Sequence, residues 1–355
     1  MRIAVTGSIA TDHLMVFPGR FADQPIPDRL ARVPLSFHVD TLEVRRGGAA
    51  ANIAFGLGAL GLAPLLVGAA GDDFAEYGAW LQEHGVDTGA VHVSRTRRTA
   101  RFLCLTDRDG DRITASYAGA MEEARDIDLG RTGPLAEQRP DLVLVCTDDS
   151  EAMLRHTARC RRLCLPFAAS PAQQLARLEP RRVRDLVDGA RWLFTSEDEA
   201  ALLLERTGWT REGVLLRVGA WVTTLGGDGV RVERAAEPTL TVPAVPDVRV
   251  ADPTGGGDAF RAGFLGGLAR GLTVDHAARL GCVLAAQALA AVGSQTYRAE
   301  RTRLLDTAAR AYGTDAAAAL APALDRTAPD RASTAPAPAR DGVSAEPAPA
   351  LEGAA

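Results

Sequence analysis

Asp252-Pro253-Thr254-Gly255-Gly256-Gly257-Asp258-Ala259-Phe260 is the stretch that decides how this chain is read. Three glycines run into a helical pattern over residues 259–270. Bare backbone N–H groups at such a helix start point into a space suited to phosphate oxygens. Asp258 stands beside that anion hole. A carboxylate there repels phosphate in the ground state, so it makes little sense as a binder and good sense as a base that takes the proton of an attacking hydroxyl. The plainer alternative is a glycine turn followed by an ordinary first-turn acid.

Two further glycine-bearing stretches extend this reading. In Arg46-Gly47-Gly48-Ala49-Ala50-Ala51-Asn52 the glycines allow close backbone approach, and Asn52, about one turn into a helix, can bond a sugar hydroxyl as donor and acceptor. Alone, this is also what a glycine-led helix start looks like. Val222-Thr223-Thr224-Leu225-Gly226-Gly227-Asp228-Gly229-Val230 reads as a strand ending in a glycine loop, either a nucleotide-holding loop at a strand's carboxyl end or a hairpin turn.

Composition narrows the chemistry. The chain has 355 residues, a net charge of −5 and 46% hydrophobic residues, enough for a large core. All 40 cationic residues are arginine. Schiff-base enzymes and P-loops that use their usual lysine are thereby excluded. Five scattered cysteines, Cys104, Cys146, Cys160, Cys164 and Cys282, argue for a reducing compartment. The N-terminus reaches Asp12 and His13 before an export signal is complete, so a cytoplasmic protein is expected. Residues 49–71 carry no charge, but their five glycines, Pro64 and Asn52 fit a buried helix and strand rather than a membrane span. Slight acidity with dispersed arginines provides no basic face for nucleic acid.

Apolar runs at 3–8, 65–70, 142–146, 165–168, 192–194 and 221–225 alternate with helical patterns near 50–60, 74–84, 151–163, 181–188 and 198–206, with two late, small-residue-rich helices near 259–270 and 274–291. That rhythm predicts an α/β fold on a mainly parallel sheet. Residues 15–44 break it, as do 100–106 and 112–117, which flank the turn Asp107-Arg108-Asp109-Gly110-Asp111. Both regions are expected in one small β-sheet acting as a lid, its strands within about 9–45 and 99–118. One large globular domain is expected over 1–325. Half of residues 326–355 are Ala or Pro without apolar periodicity, the composition of a disordered tail.

The ordered pair Gly47-Gly48-x-x-x-Asn52 and Asp252-x-Thr254-Gly255-x-Gly257-Asp258 resembles the two signatures of the PfkB/ribokinase-like carbohydrate kinase family, over about residues 1–313. The stretches Val5-Thr6-Gly7-Ser8-Ile9-Ala10-Thr11-Asp12-His13-Leu14, Phe17-Pro18-Gly19-Arg20-Phe21, Gly119-Ala120-Met121 and Gln173-Gln174-Leu175-Ala176-Arg177-Leu178 are similar to the adenosine kinases of actinobacteria. The resemblance implies a ribokinase-like three-layer α/β/α core with a β-sheet lid, and transfer of phosphate from Mg·ATP to the 5′-hydroxyl of adenosine. It implies Asp258 as the catalytic base and Gly255, Gly256 and Gly257 as the anion hole. Asp12, Gly48 and Asn52 would hold the ribose hydroxyls, with Phe102 packed on the adenine and Ser8, Gln173 and Gln174 nearby. Thr223, Gly226, Gly229 and Ser196 would line the ATP site. Glu199 would organise Mg²⁺ through water. The family's usual Asn-x-x-Glu is here Ser196-Glu197-Asp198-Glu199, so the asparagine is replaced while the glutamate is retained. Exposed lid strands make a homodimer through the lid an expectation.

Two other readings stay open: a kinase for another nucleoside or a simple sugar, and a nucleoside-binding protein impaired in catalysis by the missing asparagine. Three patterns are set aside. Gly56-Leu57-Gly58-Ala59-Leu60-Gly61 follows a helix and precedes a strand, the reverse of a dinucleotide fingerprint. Asp107, Asp109 and Asp111 imitate a calcium loop, but Ala118 stands where the closing glutamate belongs. His156, Cys160 and Cys164 share a helical face without a fourth zinc ligand.

Overall fold

In the run 142–145, Leu142 and Leu144 join the core on one side of a sheet and Val143 and Val145 the core on the other. Successive side chains of a strand point to opposite faces, so a strand covered by helices on both sides must be apolar at every position. Ile3, Ala4 and Val5 divide in the same way. The computed structural model describes residues 1–23, 36–131 and 139–325. The Ala/Pro-rich tail from Arg326 lies outside them, as does part of the polar segment 15–44.

The described strands are β1 Ile3–Thr6, β2 Ala10–Val16, β3 Thr41–Gly47, β4 Leu65–Ala70, β5 Asp87–Val93, β6 Ala100–Thr106, β7 Arg112–Tyr117, β8 Leu142–Val145, β9 Phe167–Ala169, β10 Trp192–Ser196, β11 Trp221–Thr224, β12 Val230–Glu233 and β13 Leu240–Val242. The large sheet has the order β13-β12-β11-β10-β9-β8-β1-β4-β5. Its pairings are parallel from β11 through to β5, and antiparallel only at β11–β12 and β12–β13. Helices Ala49–Ala59, Gly256–Ala269 and Val274–Leu289 pack on one face, and Ser150–Arg162, Pro180–Val187 and Glu197–Thr207 on the other. Residues 256–269 and 274–289 are rich in small side chains because their helices touch. A Cβ on Gly263 would lie 2.7 Å from the backbone of Gly281.

The expected lid is a separate sheet of order β3-β2-β6-β7. β2 pairs antiparallel with β3 and parallel with β6, which turns back through Asp107–Asp111 into β7. β3 runs to Gly47, two residues beyond the expected boundary. The Gly226 loop closes a hairpin: Leu225 N–H bonds Gly229 C=O, and β12 returns antiparallel to β11.

Several elements carry no sequence signal strong enough to name in advance. β5 is a polar, half-exposed edge strand, and β12 and β13 are short. Helix Thr314–Leu324 is alanine-rich and contains Pro322, so its composition blends into the tail beyond it. Helix Arg301–Tyr312 buries only Leu304, Thr307 and Ala308. Among the described residues no helix is long and apolar enough to cross a membrane.

Candidate active site

Helix Gly256–Ala269 begins inside the glycine run, with Gly255 at its N-cap. Gly255 has φ +82°, and a Cβ there would stand 2.6 Å from that of Ser294, so both backbone and space demand glycine. The helix carries no side-chain cap. Its first-turn N–H groups are therefore left for an anion, with the positive end of the helix dipole behind them.

Asp258 is the third residue of this helix, its side chain 18% exposed. Its Oδ2 accepts a 3.0 Å hydrogen bond from Asn52 Nδ2, and Arg261 Nη1 lies 3.4 Å from Oδ1. Burial raises the Asp258 pKa; Arg261 and the Asn52 bond oppose the rise, and the charge of Glu199 adds to it. A carboxylate held in this way is a stronger base than one in water.

Asn52 lies in helix Ala49–Ala59, which starts at the second glycine pair. Gly48 has φ +94°, and a Cβ there would come within 2.5 Å of the Ser8 carbonyl. Ser8, just after β1, accepts a 3.0 Å bond from Ala49 N–H and so caps this helix from outside. Asn52 Oδ1 accepts from Ser294 Oγ and Gln295 Nε2, each at 2.9 Å.

Register places Asp12 opposite Arg45 on one side and Phe102 on the other, all three on one face of the lid. Arg45 Nη1 donates to Asp252 Oδ2 at 2.9 Å, and that carboxylate also accepts from the N–H groups of Thr254 and Gly293. The Asp12–Arg45–Phe102 face thus looks onto the loop that leads into the Asp258 helix. Burial raises the Asp12 pKa to about 6; Arg45 pulls it down and Asp252 pushes it up.

The remaining expected site residues gather at the carboxyl edge of the parallel strands, where open α/β sheets bind ligands. Gln173 and Gln174 follow β9, and Gln174 Nε2 donates to the Asp148 carbonyl at 2.8 Å. Thr223 lies on β11 with its hydroxyl oxygen buried and lacking a partner among the described residues. Gly226 and Gly229 form the hairpin corner; Gly226 faces open space, whereas a Cβ on Gly229 would strike the Val242 carbonyl at 2.1 Å. Ser196 and Glu199 form a complete capping box on helix Glu197–Thr207: Ser196 N–H donates to Glu199 Oε2 at 2.9 Å, and Glu199 N–H to Ser196 Oγ at 3.1 Å.

The patterns set aside have structural occupations. His156 is buried and bonded to Thr6 Oγ1 and the Ile127 carbonyl, and burial lowers its pKa to about 4. Asp107 accepts from the N–H groups of Phe21, Asp109 and Asp111 and so organises the lid turn. Gly56 packs against Ala262. Sequence reasoning missed Arg45, Tyr77, Ser294 and Gln295. None belongs to a motif, and each is recruited by a contact with a residue that does.

Residues 9–301 match the pfkB family carbohydrate kinase. The chain belongs to this family, and it is a kinase that transfers phosphate to a sugar or nucleoside hydroxyl. A nucleoside kinase from Burkholderia thailandensis, solved in complex with inosine, is 32% identical over 88% of this chain and 98% of its own, with a TM-score of 0.77. A nucleoside kinase from Methanocaldococcus jannaschii is 26% identical over 252 residues, 70% of this chain and 81% of the relative. A cytidine kinase from Thermococcus kodakarensis is 26% identical over 254 residues, covering 68% and 87%.

Proposed function

We propose that the protein is an adenosine kinase, which moves the γ-phosphate of ATP to the 5′-hydroxyl of adenosine and releases ADP and AMP. The observation that carries this reading is the Asn52–Asp258 hydrogen bond, which sets a half-buried base beside the uncapped helix start at Gly255. Asp258 takes the 5′-hydroxyl proton, the ribose oxygen bonds the γ-phosphorus, and the bond from that phosphorus to the β-phosphate bridging oxygen breaks. The N–H groups of Gly255, Gly256 and Gly257 hold the transferred phosphoryl oxygens.

An amide nitrogen has two hydrogens, so Asn52 can serve Asp258 with one and a ribose hydroxyl with the other. Asp12 and the Gly48 backbone hold the sugar, Ser8 shapes the Gly48 turn, and Phe102 stacks on the base. With its nitrogen spent on Asp148, Gln174 offers a carbonyl oxygen, an acceptor suited to the exocyclic amino group of adenine; Gln173 stands beside it. Thr223, Gly226, Gly229 and Ser196 line the ATP side.

Among the described residues no three acid, histidine or cysteine side chains gather to cage a metal. Mg²⁺ fits without one, because it keeps several waters and binds through phosphates with one or two carboxylates. Glu199, whose charge is felt at Asp258, would hold it through water. The metal would neutralise charge on the ATP phosphates.

The product suits purine salvage, and free Cys104, Cys146, Cys160, Cys164 and Cys282 suit the reducing cytoplasm. Leu42, Val44, Ile113 and Tyr117 are exposed, and register puts them on the lid face opposite Phe102. A second copy of the chain covers that face in our reading, which size-exclusion chromatography of a Leu42→Glu variant tests.

The deciding assay is ADP release with Mg·ATP across adenosine, inosine, guanosine, cytidine, ribose and fructose. Adenosine should show the highest kcat/KM. A preference for inosine, the ligand of the Burkholderia thailandensis relative, would move the base specificity; a preference for free sugars would reject the nucleoside reading.

A further inference from the structure

Four hydrogen bonds connect the lid junction to the Asp258 carboxylate, with donation running outward in both directions from the Gln295 amide nitrogen. Tyr77 Oη donates to the Gly47 carbonyl at 2.8 Å. Gln295 Nε2 donates to Tyr77 Oη at 2.5 Å and to Asn52 Oδ1 at 2.9 Å. Asn52 Nδ2 donates to Asp258 Oδ2 at 3.0 Å. Tyr77, Asn52 and Gln295 are buried, so water does not compete for these groups.

The donor and acceptor at each link follow from the first. A backbone carbonyl can only accept, so the single Tyr77 hydrogen is committed to Gly47. The Tyr77 oxygen must then receive a hydrogen, and residue 295 must present nitrogen to it rather than oxygen. The second hydrogen on that nitrogen goes to Asn52, which must answer with Oδ1. Asn52 is left with its nitrogen toward Asp258. Ser294 Oγ, at 2.9 Å from the same Oδ1, reinforces this orientation.

We infer that Gln295 and Tyr77 are positioning residues for phosphoryl transfer, a polarity lock that fixes the Asn52 amide so that it always donates to Asp258. The inference rests on Asp258 being the base. An unlocked Asn52 would place Oδ1 against the carboxylate in part of the population, replacing a hydrogen bond with repulsion and stabilising protonated Asp258. The other charged or titratable groups around Asp258 are Arg261 on its own helix, Glu199 from helix Glu197–Thr207, Cys146 after β8, and Tyr297. None of them has a bond to the Asn52 amide.

The test is the pH profile of kcat at saturating substrates for Gln295→Glu, Tyr77→Phe and Asp258→Asn, with melting curves for each. Glutamate at 295 keeps the shape but presents only acceptors when ionised, so Asn52 must turn. The acid limb should move up by roughly one pH unit, so kcat at pH values below the wild-type limb falls about tenfold. Tyr77→Phe removes one hydroxyl and should shift the limb in the same direction by less. If Gln295→Glu fails to fold, Tyr77→Phe decides. Folded variants with a wild-type acid limb would overturn the lock while Asp258→Asn remains inactive. An active Asp258→Asn would instead reject Asp258 as the base.

Discussion

Two helix starts at the same edge of the sheet are built in opposite ways. Helix Glu197–Thr207 has its end closed by its own side chains, with Ser196 and Glu199 exchanging hydrogen bonds with each other's backbone N–H. Helix Gly256–Ala269 has a bare left-handed glycine at its N-cap and no side-chain cap. A capping box contributes stability by satisfying backbone donors, and for that reason removes them from ligand binding. An uncapped start keeps its donors for a ligand at the expense of that stability. The contrast suggests that anion stabilisation belongs to the glycine-led helix, and that the Ser196 helix contributes mainly charge through Glu199.

Asp258→Asn should break this division at its centre. It keeps shape and the folded state but removes the proposed base, so kcat should fall on the order of 10²-fold or more while the melting temperature holds. A near-normal kcat in the folded variant would leave the uncapped helix without its proposed chemistry.

Phe102→Ala probes the small sheet proposed as a lid over the same edge. Aromatic stacking on a base is worth about 1–3 kcal/mol, so the adenosine KM should rise by roughly five- to a hundredfold with a smaller effect on kcat. An unchanged KM would take Phe102 out of the site.

Arg45→Ala sharpens the comparison through pH. The Asp12 pKa stands at about 6, raised by burial and held from rising further by Arg45. In the proposed site ionised Asp12 accepts bonds from ribose hydroxyls, so adenosine affinity should weaken as pH falls through about 6. Without Arg45 the opposing charge of Asp252 acts alone, the Asp12 pKa climbs, and the weakening should begin at higher pH. Adenosine KM measured between pH 5 and 8 for both forms, a window set by that pKa, checks the direction.

The smallest effect is expected at the closed helix start. Ser196→Ala deletes the cap and should cost about 1 kcal/mol in denaturant unfolding, whereas Ser196→Asn preserves it. Ser196→Asn should also hold or raise kcat and lower the free Mg²⁺ midpoint. A large kcat loss in Ser196→Ala would show that Ser196 serves the phosphates and not only its helix.

The departure at Ser196 was legible in the sequence, but its consequence was not. Ser196-x-x-Glu199 has the spacing of a capping box as well as that of a family signature, and only the folded backbone shows both bonds being made. The reverse holds for the glycine runs, where left-handed backbone and absent Cβ atoms made the sequence reading and the observed geometry agree at Gly48 and Gly255.

What the sequence by itself determined is whatever depends on neighbours along the chain. The continuous apolar runs required a sheet buried on both faces, and the glycine-led helix starts required close approach. Tertiary structure decided the rest. Asn52 and Asp258 are 206 positions apart, Asn52 and Gln295 are 243, and Arg45 and Asp252 are 207. A hydrogen bond is set by distance and direction in space, and no periodicity records which loop residue will stand 3 Å from a given amide once two layers have packed. The type of chemistry was therefore readable from local pattern, while the partners that orient and tune it became visible only in the fold.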